Sequence, residues 1–122
     1  MALRFVIDEH LRGHFWHAIQ RHNGLGIDRL DVLRVGDPPD LPCGILDPDL
    51  LLWAARTDRL LITMDWQSMP GHLMDFLQQG EHSPGVLILR QGFTLAELVA
   101  ELTLVAYAGD PIDYQDQVRF IP

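Results

Sequence analysis

At 122 residues the chain has the length of one domain, and a hydrophobic fraction of 48% with mean hydropathy +0.05 excludes a disordered polymer. Nine basic and 17 acidic residues give a net charge of −8, which disfavours a broad polyanion-binding face but leaves room for a nuclease whose acids hold metal ions. The lone Cys43 offers no disulfide framework, no apolar run approaches the roughly 18 residues of a membrane helix, and no signal-peptide pattern is present, so a cytoplasmic protein is expected.

The apolar run Leu3 to Ile7 predicts a first strand that stops on two adjacent carboxylates, Asp8 and Glu9. Leu11, Phe15, Ala18 and Ile19 recur at helical spacing and predict a helix from Leu11 to about His22, ended by Asn23, Gly24 and Gly26. Asp31 to Val35 reads as a second strand. Gly36 to Gly44, with Pro38, Pro39 and Pro42, reads as a loop beside a sheet edge. Asp47-Pro48-Asp49 opens the next helix: Asp47 suits the N-cap, Pro48 the first helical position, and Asp49 the positive end of the helix dipole. It runs to about Thr57 with Leu50, Leu51, Trp53, Ala54 and Ala55 mostly inward.

Leu60 to Thr63 is apolar as a central parallel strand should be, and it leads to another acid, Asp65. Pro70 marks a helix that turns Leu73, Phe76 and Leu77 inward as far as Gly80. Val86 to Leu89 follows Pro84-Gly85 as a fourth strand. Thr94 and Glu97 form a capping box before a helix striped with Leu95, Leu98, Val99, Leu102 and Val105. Val118 to Ile121 is an edge strand. Alternating strands and helices with short joints predict one α/β domain over residues 1–122, a parallel sheet with helices on both faces.

In such a sheet, ligands bind outside the carboxyl ends of the strands. Asp8 and Asp65 end two strands, Glu9 adjoins the first, and Asp47 and Asp49 open the helix leading to the second. Gathered acids repel, and Mg²⁺ or Mn²⁺, which prefers oxygen ligands and waters, relieves that repulsion. A cation held there can generate hydroxide and stabilise charge on a phosphoryl oxygen, so phosphodiester hydrolysis is the natural reaction. The plain alternative is that these acids only cap turns and helices. His10, His14 and His17 share a helix face, but the Glu that a metalloprotease carries after its first His is missing, and a solvated His face is the simpler account. Arg12, a turn beyond Asp8, suits either a phosphate contact or an ordinary surface position. Trp66 directly follows Asp65 and is expected to shape the mouth of the site.

Phe5-Val6-Ile7-Asp8-Glu9-His10-Leu11, the helix from Asp47-Pro48-Asp49 to Trp53-Ala54-Ala55, Leu61-Ile62-Thr63-Met64-Asp65, Gln67-Ser68-Met69-Pro70 and the closing Gln117 to Pro122 together resemble the PIN-like domain family. The nearest resemblance is to a small bacterial branch related to VapC-type toxins and the Mut-seven C-terminal domain. The resemblance implies a three-layer α/β/α PIN-like (Rossmann-like) fold with a mainly parallel sheet, and a Mg²⁺- or Mn²⁺-dependent endoribonuclease. It implies Asp8 and Asp65 as the strand-end acids and Asp47 or Asp49 as the helix acid, with Asp8, Asp49 and Asp65 catalytic and Glu9 an additional ligand. Many relatives carry another Asp where Gln67 stands, leaving Gln67, with Arg12, as a candidate substrate contact. The implied partners are RNA, a small antitoxin-like protein and a second copy of the chain, with no membrane. The competing expectation is a catalytically weak interaction module on the same fold.

Overall fold

The computed structural model describes residues 2–11 and 13–122. Strand β1 (Phe5–Ile7) is followed by a 3-10 turn (Glu9–Leu11), helix α1 (His14–Gly24), β2 (Val32–Arg34), α2 (Asp47–Thr57) and β3 (Leu60–Thr63). Then come α3 (Met69–Gln78), β4 (Val86–Leu89), α4 (Leu95–Ala108), a second 3-10 turn (Pro111–Asp113) and β5 (Val118–Ile121). The five strands lie in the order β2-β1-β3-β4-β5, and every neighbouring pair is parallel. The sheet is therefore wholly parallel, with β5 at one edge.

Side chains alternate across the sheet and feed two cores. Phe5, Ile7, Leu60, Ile62, Leu87 and Leu89 meet α1 and α4 on one face. Val6, Leu61, Val86 and Ile88 meet α2 and α3 on the other. Both faces are covered, which is why these strands are apolar throughout rather than alternating. The result is a three-layer α/β/α arrangement.

The sheet order and the two cores fix the hand of each connection. From β1 the chain steps one way along the sheet through α1; from β2 and from β3 it steps the other way through α2 and α3 on the opposite face. These three connections share one hand, the right-handed one that parallel crossovers adopt almost without exception. Helix α4 steps in the same direction as α3 yet packs on the α1 face, so the β4-α4-β5 connection has the opposite hand. The long return from Ala108 to Val118 gives it room. Gly85 and Gly109 close onto Tyr114 in that return, where a Cβ would stand 2.5 Å from the Tyr114 carbonyl oxygen and 2.9 Å from its ring.

Two local expectations are corrected. The first helix does not begin at Leu11: the Leu11 N–H bonds the Asp8 carbonyl (3.1 Å) in a tight 3-10 turn, and α1 starts at His14 after Gly13. His10 therefore does not lie on α1 with His14 and His17. In α2 the N-cap is Leu46, in extended conformation, and Asp47 is already the first helical residue. Its carboxylate turns to His72 Nε2 at 3.4 Å rather than back to the helix amides.

Candidate functional site

The chain leaves the adjacent strands β1 and β3 toward opposite faces and opposite edges of the sheet, so a crevice opens between them at their carboxyl ends. Asp8 and the segment from Thr63 to Asp65 stand at this switch point. The Asp8 N–H bonds the Ile62 carbonyl at 3.2 Å, extending the β1–β3 ladder by one residue and fixing the side chain beneath the crevice.

Asp8 is buried, 8% exposed, among apolar strand ends. Its Oδ1 accepts the His10 N–H at 3.0 Å and its Oδ2 accepts the Thr63 hydroxyl at 2.5 Å. Thr63, fully buried, also accepts the Asp65 N–H on the same hydroxyl oxygen at 3.1 Å. One hydroxyl thus links the Asp8 carboxylate to the Asp65 backbone. Asp65 folds its carboxylate onto the start of α3: Oδ1 accepts the Ser68 N–H (2.9 Å) and the Gln67 N–H (3.2 Å), and Oδ2 accepts the Ser68 hydroxyl.

These surroundings push the two carboxyls apart in proton affinity. Burial raises Asp8 above its ordinary value; the Thr63 hydroxyl and the His10 charge and N–H pull it back, and the Asp47 charge adds to the rise. Asp65 is lowered, first by the Ser68 hydroxyl and then by the Ser68 N–H, with the Gln67 N–H and the His72 charge assisting. A pair of carboxyls separated in this way suits one to hold or take a proton and the other to stay ionised.

His72, in the first turn of α3, joins this group between Asp47 and Asp65. Sequence pattern alone sets His72 aside because its spacing to the other histidines means nothing. Its signal is positional: the first turn of the helix after β3 must sit at the same strand end as Asp65. Thr63 and Ser68 are likewise visible only once the acids they bond are placed.

The remaining expected residues divide. Asp47 reaches Asp8 with its charge, whereas Asp49 is exposed and bonds to no member of the cluster among the described residues. Residues two apart on a helix do not face the same way, so only one of these acids can look into the crevice. Glu9 Oε1 accepts the Gly44 N–H at 3.0 Å and pins the proline-rich loop after β2. The Gln67 N–H braces Asp65, and its side chain is exposed. Arg12 lies outside the described residues.

Among the described residues no three His, Cys, Asp or Glu side chains converge closely enough to encircle a metal ion. Mg²⁺ does not require this, since it is commonly held by one or two carboxylates with waters completing the octahedron. Asp8, a buried carboxylate whose ionisation is disfavoured and which feels the Asp47 charge, fits that hydrated mode by its donor chemistry. A cavity of about 660 Å³ lies at the other end of the strands, against Leu3, Arg4, Asp58 and His82. It is remote from the acids, and the nearby His82–Asp116 pair (2.8 Å) ties the chain before β4 to the return before β5. No helix among the described residues is long and apolar enough to cross a membrane. No protein-family model, curated protein or solved structure matches the chain.

Proposed function

We propose that the chain is a PIN-like endoribonuclease dependent on Mg²⁺ or Mn²⁺. The observation that carries this reading is the placement of Asp8 and Asp65 at the β1/β3 switch point, where the Asp8 carboxylate and the Asp65 backbone N–H meet on one buried threonine hydroxyl. Asp8 and Asp47 would hold the cation. When bound, it supplies a water of lowered pKa and neutralises charge on a phosphoryl oxygen. Thr63 keeps the Asp8 carboxylate in one orientation, and Ser68 keeps Asp65 ionised. His72 stands between Asp47 and Asp65, with Nε2 3.4 Å from the Asp47 carboxylate, where it orients that acid. Resemblance extends the proposal to the toxin half of a toxin–antitoxin pair, with a small antitoxin-like protein as partner.

The test is a calorimetric Mn²⁺ titration of the wild type and of Asp8→Asn/Asp65→Asn, followed by RNA cleavage assays with Mn²⁺ and with chelator. Saturable binding and cleavage that both vanish in the double variant support the reading. No binding by the wild type at millimolar Mn²⁺ sinks it. The second reading, a catalytically weak interaction module, is favoured by Gln67 in place of a family acid and by the hydrogen bonds already occupying both Asp65 oxygens. It predicts a stable fold with neither metal binding nor cleavage.

A further inference from the structure

Beside the acids, at the carboxyl ends of β4 and β5, lies a second feature that the reaction does not use. A pocket of about 380 Å³ is lined by Trp66, Ile88, Leu89, Arg90, Gln91 and Phe120. Its volume falls at the small end of the roughly 300–1,000 Å³ typical of ligand pockets, which suits one flat ring system better than a folded chain. Ile88 and Leu89 are buried and form the floor, while Trp66 is 58% and Phe120 47% exposed. Aromatic rings left in water at a concave surface cost hydration free energy that a stacked ligand would recover.

The charge of the pocket runs against that of the chain. No acid lines it, although the chain as a whole carries −8. Arg90 holds its guanidinium over the Phe120 ring at 5.3 Å and has no carboxylate partner among the described residues. Two exposed rings beside an unpaired arginine match an aromatic base attached to an anion, the combination that single-strand-binding surfaces use. Position matches too. The β4–β5 boundary lies two strand spacings, about 10 Å, from the β1–β3 crevice. Trp66 directly follows Asp65, so the two features form one continuous edge.

We infer that this pocket is a nucleobase-stacking subsite for single-stranded RNA, with Trp66 and Phe120 taking the base and Arg90 meeting its phosphate. The inference rests on the ribonuclease reading for its choice of RNA and supplies what an acidic chain otherwise lacks, a local means of holding a polyanion. Stacking is tolerant of base identity, so the subsite positions the strand more than it selects a sequence.

The experiment is fluorescence anisotropy of a labelled oligouridylate with the whole chain in chelator, so that no cleavage occurs. The expected result is saturable binding that Trp66→Ala and Phe120→Ala each weaken about tenfold, equal to about 1.4 kcal/mol and within the range for one stacked base. Arg90→Gln weakens binding and makes it less salt-dependent, whereas an abasic strand of the same length binds as weakly as the Trp66→Ala variant sees the intact one. If oligouridylate binds in this pattern but Mn²⁺ cleavage is absent, the ribonuclease reading fails and the subsite stands. If cleavage occurs but binding is unchanged by Trp66→Ala, or equal for the abasic strand, the subsite is overturned and the nuclease stands. Absence of any oligonucleotide binding also overturns it and leaves the pocket to a peptide partner.

Discussion

Thr63→Val tests the link between the two acids most directly. Valine has the shape of threonine, so packing in this fully buried position is retained and only the hydroxyl is lost. That hydroxyl donates to Asp8 Oδ2 at 2.5 Å and accepts the Asp65 N–H at 3.1 Å. Loss of a hydrogen bond to a charged acceptor costs about 1.5–3 kcal/mol, and an N–H left without its partner about 1–3 kcal/mol when buried. Asp65 is only half-buried, so water partly replaces its partner and the second contribution lies at the low end. The sum is about 3 kcal/mol, or a fall in Tm of about 12 °C for a chain of this length. Thr63→Ser is the control. It keeps the hydroxyl and loses one methyl, at about 1 kcal/mol. Urea denaturation near neutral pH measures both. In an Asp8→Asn background, where the charged acceptor is gone, the cost of Thr63→Val falls by roughly half. A Thr63→Val protein as stable as Thr63→Ser, or a cost unchanged by Asp8→Asn, refutes the bridging role.

Because burial holds the folded Asp8 carboxyl above 3.8, the native state keeps its proton longer than the unfolded chain, and stability falls as pH rises from 3.8 through the folded value. Asp8→Asn is therefore expected to melt above wild type at neutral pH, with the gap closing below the unfolded pKa; thermal melts across that range check it, and a lower Tm at neutrality contradicts it. Gly85→Ala forces a Cβ to 2.5 Å from the Tyr114 carbonyl oxygen at φ +131°, and is expected to cost about 3 kcal/mol in chemical denaturation. Gly80→Ala, at φ +86° with open space around it, should cost only about 1 kcal/mol. Thr94→Ala removes the acceptor for the Glu97 N–H (3.1 Å) and should cost about 1 kcal/mol by the same assay.

Much of the fold was legible because its strands are buried on both faces. Continuous apolar runs framed by Gly, Pro and acids marked β3 and β4 at the bounds they occupy, β5 was legible as an edge strand, and the Asp-Pro-Asp start marked α2. The start of α1 was misplaced for a physical reason: Leu11 and Phe15 share one core, and periodicity reports which side chains go inward, not where the backbone changes winding. The hand of the β4-α4-β5 connection left no local trace in the apolar stripe of α4, which would fit either face. At the site, the strand-end acids were readable from strand ends alone. That the Asp47 charge reaches Asp8 depended on the rotation of α2 about its axis, and the arrival of His72 depended on α3 docking beside it. Trp66 was readable as a neighbour of the site, while Arg90 and Phe120 join it only through the pairing of β4 with β5.

Whether the Asp8 charge exists for a ligand turns on what else it could be for. Its Oδ1 caps the tight turn after β1 by accepting the His10 N–H, and a cap alone would explain a polar residue there. Asn and Ser cap as well as Asp and bring no charge to bury. Yet the position carries a carboxylate that is 8% exposed, raised in proton affinity by its burial and further by a neighbouring acid, Asp47. Under the proposed function that charge meets its partner later: a divalent cation binding only the folded chain would add stabilisation by mass action. The two accounts separate on one variant. If the charge serves a cation, Asp8→Asn melts higher in chelator and loses the upward shift that Mn²⁺ gives the wild type. If Asp8 is only a cap, neither protein responds to Mn²⁺.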